Sequence, residues 1–435
     1  MKSHDGDIIQ NISERSHVLK KTGDLTPLFD KIGDSNIVML GEASHGTHEY
    51  YTWRAYISKK LITEKKFNFI AVEGDWPDCY EVNRFVKNYP GSGDTIRDVL
   101  QKYDRWPTWM WANWEISALA EWLKNYNDQL EEGKKIGFYG LDVYSLWESM
   151  EAILNYLKKT DPASVEIALE AYRCFEPHKG DEGQRYARAL QFVPDTCEEE
   201  VVGLLKQIRE RSKLYDTDPE NIFNVEQNAL VAVNAENYYR SMLRGDEHSW
   251  NVRDTHMSDT LARLMQLHGA DAKGIVWEHN THIGDARATD MFREGLINIG
   301  ELARKNENYQ VFLTGFGSYE GTVIAGKKWG AKMEVMDVPP ARDASWEYYL
   351  HQVGNDDKLL LMDEFHDSYL AENYLGHRAI GVVYNPAYEK YGNYVPSILP
   401  QRYDAFIYLD KTEALKALHL NPDSHKIPET YPFGV

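Results

Sequence analysis

The sequence predicts an α/β fold: a central, largely parallel sheet flanked by helices, with a helical insertion covering the active-site cleft. Three observations predict it. Four-residue apolar runs recur along the chain and alternate with segments of helical periodicity, as in a sheet buried on both faces. Several of these runs lead straight into polar, titratable residues, as strands do when they end at a ligand crevice. Between Leu146 and His268 the strand signal disappears, and apolar residues such as Val201, Leu204, Leu205 and Ile208 fall at three- and four-residue spacing. Residues 1–145 and 269–435 are then the two parts of the core, and 146–268 is the insertion. With 435 residues, 43% hydrophobic and 27% charged, the chain has ample material for a buried core.

In chain order, Ile8, Ile9, Ile12 and Leu19 lie at helical spacing, so the first 35 residues read as a helix followed by a turn-rich segment. Ile37-Val38-Met39-Leu40 reads as the first strand, and Thr47 to Lys66 as a long helix after it. Phe69-Ile70-Ala71-Val72, Ile136-Gly137-Phe138-Tyr139 and Gly274-Ile275-Val276-Trp277 repeat the strand pattern. The later strand candidates are Val311–Thr314, Thr322–Ala325, Met333–Met336, Leu359–Met362, Ile380–Val383 and Phe406–Leu409. No internal repeat or low-complexity tract interrupts them.

A formal net charge of −20, with no dense Lys/Arg cluster, excludes nucleic acid as a partner. Cys79, Cys174 and Cys197 are odd in number and form no CxxC pair, which argues against a disulfide framework or a zinc knuckle and for a reducing compartment. The first 21 residues are polar, and nowhere do eighteen apolar residues follow one another. An unprocessed cytoplasmic protein with no membrane association is the expectation.

Four strand candidates end in ionisable clusters: Glu42 and His45; Glu73 and Asp75; Asp142; and Glu278, His279, Asn280, His282 and Asp285. At the carboxyl edge of a parallel sheet these clusters would converge on one crevice. A single histidine after a strand is more often a hydrogen-bonded structural residue; four coincident clusters favour a functional site. Glu42 and His45 are three residues apart in a glycine-bounded turn, close enough for the carboxylate to orient the imidazole and raise its basicity. The helix starting near Thr47 directs its free N–H groups toward the same crevice. Two turns into it, Arg54 reads either as a donor fork for an oxyanion or as a structural ion pair.

Glu73 can hydrogen-bond an imidazole, polarise water or, if shielded, act as an acid, and one of His279 and His282 is expected to face the cleft. Serine chemistry has no G-x-S-x-G elbow to support it. H-E-x-x-H is likewise missing, so the reading assigns no metal and no cofactor, although mixed Glu/His ligation of zinc or manganese by Glu42, His45, Glu73, His279 or His282 is the rival. Gly315 to Gly321 departs from G-x-G-x-x-G by one residue and reads as a turn between two strands. Trp106, Trp109, Trp111 and Trp114 offer stacking surfaces for a sugar or alicyclic ring, with core packing expected for most.

Gly41-Glu42-Ala43-Ser44-His45-Gly46-Thr47-His48-Glu49 resembles the erythromycin esterase family, some of whose members are labelled succinoglycan biosynthesis proteins. Val72-Glu73-Gly74-Asp75-Trp76-Pro77, Trp109-Met110-Trp111 with Asn113, Tyr139-Gly140-Leu141-Asp142, Arg253-Asp254, Trp277 to Asp285 and Arg378 to Val382 follow in family order over nearly the whole chain. The resemblance implies a metal-independent esterase acting on a small-molecule ester or lactone, with His45 as general base, Glu42 as its partner, and active-site roles for Arg54, Glu73 and His279. Asp75, Asn113, Asp142, Asn280 and His282 are the expected substrate-binding residues. The expected mechanism has His45 deprotonate a water while Arg54 and His279 stabilise the oxyanion. A metal-dependent hydrolase and a non-catalytic sugar-binding protein are the alternatives.

Overall fold

A computed structural model describes residues 2–175, 196–211, 219–242 and 246–418. Parts of the predicted insertion and the residues from 419 onward lie outside them. Eleven strands are described: β1 (Ser16–Leu19), β2 (Ile37–Leu40), β3 (Phe69–Asp75), β4 (Gly137–Asp142), β5 (Gly274–Trp277), β6 (Val311–Gly326), β7 (Met333–Val338), β8 (Asp357–Leu361), β9 (Leu375–Arg378), β10 (Tyr394–Ser397) and β11 (Ala405–Thr412). Nine of them make one sheet in the order β1-β8-β11-β6-β2-β5-β3-β4, with β7 paired to β6; β9 and β10 form a separate pair. The run β11-β6-β2-β5-β3-β4 is parallel throughout, whereas the pairings of β8 and β7 are antiparallel.

Alternation along the strands builds a core on each face. Val38 and Leu40 of β2 join Ile70 and Val72 of β3 on one side, packed with Tyr51, Ile57 and Leu61. Ile37 and Met39 join Phe69 and Ala71 on the other, packed with Met257, Leu261 and Trp346. The helices of seven or more residues are α1 (Lys2–Glu14), α2 (Thr26–Ile32), α3 (His48–Lys65), α4 (Trp76–Val86), α5 (Trp114–Asn127), α6 (Leu146–Thr160), α7 (Val165–Phe175), α8 (Glu198–Arg211), α9 (Asn221–Ser241), α10 (Asp246–His268), α11 (Ile299–Lys305) and α12 (Trp346–Val353). Helices α6 to α10 occupy the stretch read as an insertion, and α6 to α9 bury a third apolar cluster of their own, including Leu146, Ile153, Leu204 and Ala232.

Several expectations require correction. Leu19 belongs to an edge strand rather than to the first helix, because Ser16–Leu19 pairs with β8 across the sheet. Gly315 to Gly321 is no turn: β6 runs unbroken for 16 residues. Its glycines admit neighbouring rings, since a Cβ on Gly315 would stand 2.6 Å from the Tyr403 ring. Ile380–Val383 makes only isolated bridges, Ser44 with Ile380 and Gly326 with Val383. Cys174 and Cys197 form a disulfide, with Cα atoms 5.9 Å apart, because α7 and the start of α8 are packed together; Cys79 is free and buried. Among the described residues, no helix is long and apolar enough to cross a membrane.

Candidate active site

Strands β2, β5, β3 and β4 are adjacent and parallel, so the residues following them share one edge of the sheet. The loop after β2 is fixed by backbone bonds on three sides. The Asn280 N–H donates to Glu42 O at 2.9 Å, the Ile380 N–H to Ala43 O at 2.8 Å, and the Ile324 and Leu415 N–H groups to Gly46 O at 3.0 and 2.9 Å. Only glycine fits at Gly46, where a Cβ would lie 2.0 Å from Ile324 O. A tight glycine-bounded turn, anchored this way, presents Glu42 and His45 side by side.

His45 Nδ1 meets Glu42 Oε1 at 2.9 Å, and the other Glu42 oxygen accepts from Arg54 Nη2 at 2.6 Å. Arg54 is fully buried, its guanidinium 4.5 Å from the Tyr51 ring centre and 4.8 Å from that of Trp277. It therefore stands behind Glu42 rather than at the cleft, and the expectation of Arg54 as an oxyanion donor is corrected: the cation reaches the carboxylate first and is sealed there by aromatic rings. Burial works against a charged His45, but Glu73 and then the Glu42 hydrogen bond outweigh it and raise the pKa above the ordinary imidazole value. The neighbouring His48 turns away, toward Glu115 at 2.5 Å.

Glu73 faces His45 Nε2 at 4.0 Å, an electrostatic contact rather than a hydrogen bond. Its other oxygen accepts the His279 backbone N–H at 2.8 Å. Burial opposes ionisation of Glu73, yet His282 and His45 when protonated, and the Arg253 guanidinium always, hold its pKa below the usual carboxylate range. An ionised Glu73 does not fit the shielded-acid option.

His279 stacks against His45 with ring centres 4.9 Å apart. Its Nδ1 caps a one-turn helix by accepting from the Thr281 N–H, which leaves the proton on Nε2, a nitrogen with no hydrogen-bond partner. Burial and then His45 depress its pKa well below the ordinary value, so the ring is neutral. His279 and His282 both stand behind the residues that line the cleft, so the expectation that one of them faces it is corrected; a neutral imidazole packed beside the base can still donate toward developing negative charge.

His282 lies deeper. Nδ1 faces Asp254 at 3.0 Å and Nε2 meets Arg253 Nη1 at 2.9 Å, with the ring stacked on Trp250. Arg253, from α10, also donates to Glu73 at 2.6 Å and to both oxygens of Asp142 at 3.0 and 2.7 Å. Arg253 and its neighbour Asp254, like Asp78 and Arg105 at the cleft, are not marked by the pattern: nothing in the periodicity of α10 singles Arg253 out, and its signal is the Arg253-Asp254 pair. Glu278 is buried with both oxygens unbonded, and burial, then Glu73, raise its pKa well above the usual range, favouring the protonated form.

Asn113 and Asn280 do not reach the cleft. Asn113 caps α5 by accepting from the Ile116 N–H and donates to Trp109 O and Met110 O; Asn280 exchanges bonds with the Phe316 backbone at 2.6 and 3.2 Å. Both are fully buried and spent on backbone groups, so their expected contact with substrate is corrected. Asp75 and Asp142 do line the cleft, with His45, Glu73, Asp78, Arg105 and Arg253. The walls are Tyr103, Trp106, Met110, Trp111, Tyr144 and Trp329. Asp75 is paired with Arg105 at 2.5 Å. Among the described residues, no three His, Cys, Asp or Glu side chains are disposed to hold one metal ion.

Residues 62–412 match the family model described as Erythromycin esterase. The chain belongs to the erythromycin esterase family. It is 22% identical over 320 residues to an erythromycin esterase type II of Escherichia coli, covering 69% of this chain and 73% of that one. It is 21% identical over 410 residues to a putative hydrolase, YbfO, of Bacillus subtilis strain 168, covering 89% and 86%. Among solved structures, a succinoglycan biosynthesis protein shares the fold with a TM-score of 0.75 at 22% identity, over 95% of this chain and 99% of that one. A mutant of the erythromycin esterase EreC in its open conformation shares it with a TM-score of 0.66 at 15% identity, over 92% and 97%. For this erythromycin esterase family member, membership supports a hydrolase of that family and the likeness to solved structures supports the fold.

Proposed function

We propose that the protein hydrolyses a carboxylic ester or lactone with a water activated by His45, without a metal. The observation that carries this reading is the Arg54–Glu42–His45 series, in which a buried ion pair fixes a carboxylate on one imidazole nitrogen and leaves the other at the cleft beside Glu73. His45 Nε2 takes a proton from water as the water oxygen attacks the carbonyl carbon and the carbonyl π pair moves to oxygen. Collapse of the tetrahedral species breaks the C–O bond, and the departing alkoxide recovers the proton from His45. His279, its ring centre 4.9 Å from that of His45, is a neutral imidazole beside the base. Aromatic and apolar residues line the mouth, and relatives of this chain are named erythromycin esterases, so a macrolide lactone is the first substrate to test.

The test is a mass-spectrometric screen of macrolides and simple esters for gain of one water, run with wild type and H45Q before and after chelation. Turnover by wild type, surviving chelation and lowered at least 10²-fold in a folded H45Q, is expected. Loss of turnover on chelation selects the metal-dependent rival. Binding of a ring without turnover, unchanged in H45Q, selects a sugar-binding protein, the reading favoured by the half-exposed Trp106–Trp329 pair at the mouth, with ring centres 4.7 Å apart.

A further inference from the structure

Hydrolysis as proposed above creates an oxyanion; neutral His279 offers it a single N–H, and a cationic donor would stabilise it further. Arg54 is closed off behind Glu42, and Arg105 is engaged by Asp75 on the outer wall. The remaining arginine among the described residues that line the cleft is Arg253. We infer that Arg253, carried by helix α10 of the insertion, is a catalytic residue whose guanidinium receives the oxyanion at the substrate carbonyl. The inference rests on the hydrolase reading.

Position comes first. Arg253 Nη2 donates to Glu73 Oε1, and that same oxygen faces His45 Nε2 at 4.0 Å. The base and the guanidinium thus flank a single atom, and a carbonyl carbon attacked by a water on His45 has its oxygen within reach of the arginine. The donor count agrees. A guanidinium has five N–H groups; Nε and Nη2 direct three of them at Asp142 and Glu73, and Nη1 directs one at His282. One Nη1 hydrogen is left without an acceptor among the described residues.

The group is also held still. Glu73 lies within β3, Asp142 ends β4 and His282 sits in the one-turn helix after β5, so three separate segments grip one side chain, while the Tyr144 ring lies 4.8 Å from its central carbon. Arginine only donates, so His282 Nε2 accepts and its proton sits on Nδ1, toward Asp254, which in turn accepts the Ile299 N–H at the start of α11. His282 and Asp254 are positioning residues that act through Arg253. A donor fixed before the reaction does not have to reorient as charge develops. Because Glu73 and Asp142 already offset its charge, Arg253 acts chiefly by directional donation at close range.

The test compares wild type, R253Q, R253K and H45Q on the ester or lactone turned over fastest in the screen, with melting curves for each. A kcat lowered roughly 10²- to 10³-fold in R253Q, with KM changed only a few-fold, is expected. In R253A, added guanidinium chloride at millimolar concentration should restore part of kcat, and equimolar ethylammonium chloride should not. Should R253Q or R253A fail to fold, R253K decides, since it keeps the charge and loses the fork: a loss above about tenfold supports the assignment. A folded R253Q or R253K with kcat within about threefold of wild type overturns it, while loss of activity in H45Q alongside keeps the hydrolase reading. A folded R253A that is inactive and indifferent to guanidinium makes Arg253 merely structural and overturns the inference as well. No turnover of any ester by wild type removes both readings together.

Discussion

Each histidine of the candidate site has its chemistry set by the partner of one nitrogen: Glu42 makes His45 basic, the Thr281 N–H makes His279 a donor, and Arg253 makes His282 an acceptor. A dependence of rate on pH follows. If neutral His45 is the base, the acid limb of kcat/KM lies above pH 6.5, because its pKa is raised, with Glu73 the largest contributor to the rise. Glu73→Gln removes that negative charge, so the limb is expected to move to lower pH, and a pH–rate profile of the variant measures it; a limb that stays put or moves upward sinks the coupling. Glu42 and His45 were legible because a glycine-bounded turn after a buried strand leaves few places for their side chains. Arg54, Asn113 and Asn280 were not, since a sequence does not reveal whether a polar group points at solvent or at a neighbouring backbone, and these three point inward. Arg253 escaped because α10 carries it from a segment whose spacing speaks only of helix.

At the scale of elements, short buried strands were readable from their apolar runs, and β2, β3, β4 and β5 lie where those runs predict. The failures occurred where pairing decides. Ser16–Leu19 becomes a strand because β8 offers it an edge, and Gly315 to Gly321 stays extended because rings from neighbouring segments fill the space its missing side chains leave. The Cys174–Cys197 bridge depends in the same way on how α7 and α8 are packed, which spacing alone does not encode. Its closure across 23 positions should contribute about 3 kcal/mol to the insertion. Replacing both cysteines with serine is expected to lower the urea midpoint and to reduce hydrogen-exchange protection in α7 and α8 while leaving β2 to β5 unaffected. Equal midpoints for oxidised wild type and the double variant would show that helix packing alone holds the insertion.

Across the whole molecule, the alternation of strand and helix signals was enough to give the sheet, and the carboxyl edge of its parallel run gathers the residues of the candidate site because such an edge collects whatever lies at the ends of its strands. Stability should depend on pH through histidines whose charged form burial disfavours. Burial depresses His256 to about 4, and His268 likewise to about 4 with help from Lys87. A histidine with a depressed folded pKa stabilises the native state above pH 6.5, and that contribution is lost as pH falls toward 4. For His256, 2% exposed, the loss between pH 7 and 4.5 is roughly 2–3 kcal/mol. Urea unfolding at the two pH values should show it, and H256Q should flatten the dependence; a variant as acid-sensitive as wild type would refute the assignment. The strand order also bears on how the molecule is made. β5 lies between β2 and β3 in the sheet, yet the ribosome delivers it some 200 residues after β3. Until then β3 can pair only with β4, and β2 has no partner strand at all because β6 is later still, so the nascent chain has to shelter those unpaired amides and carbonyls, or have them sheltered, before its middle strand arrives.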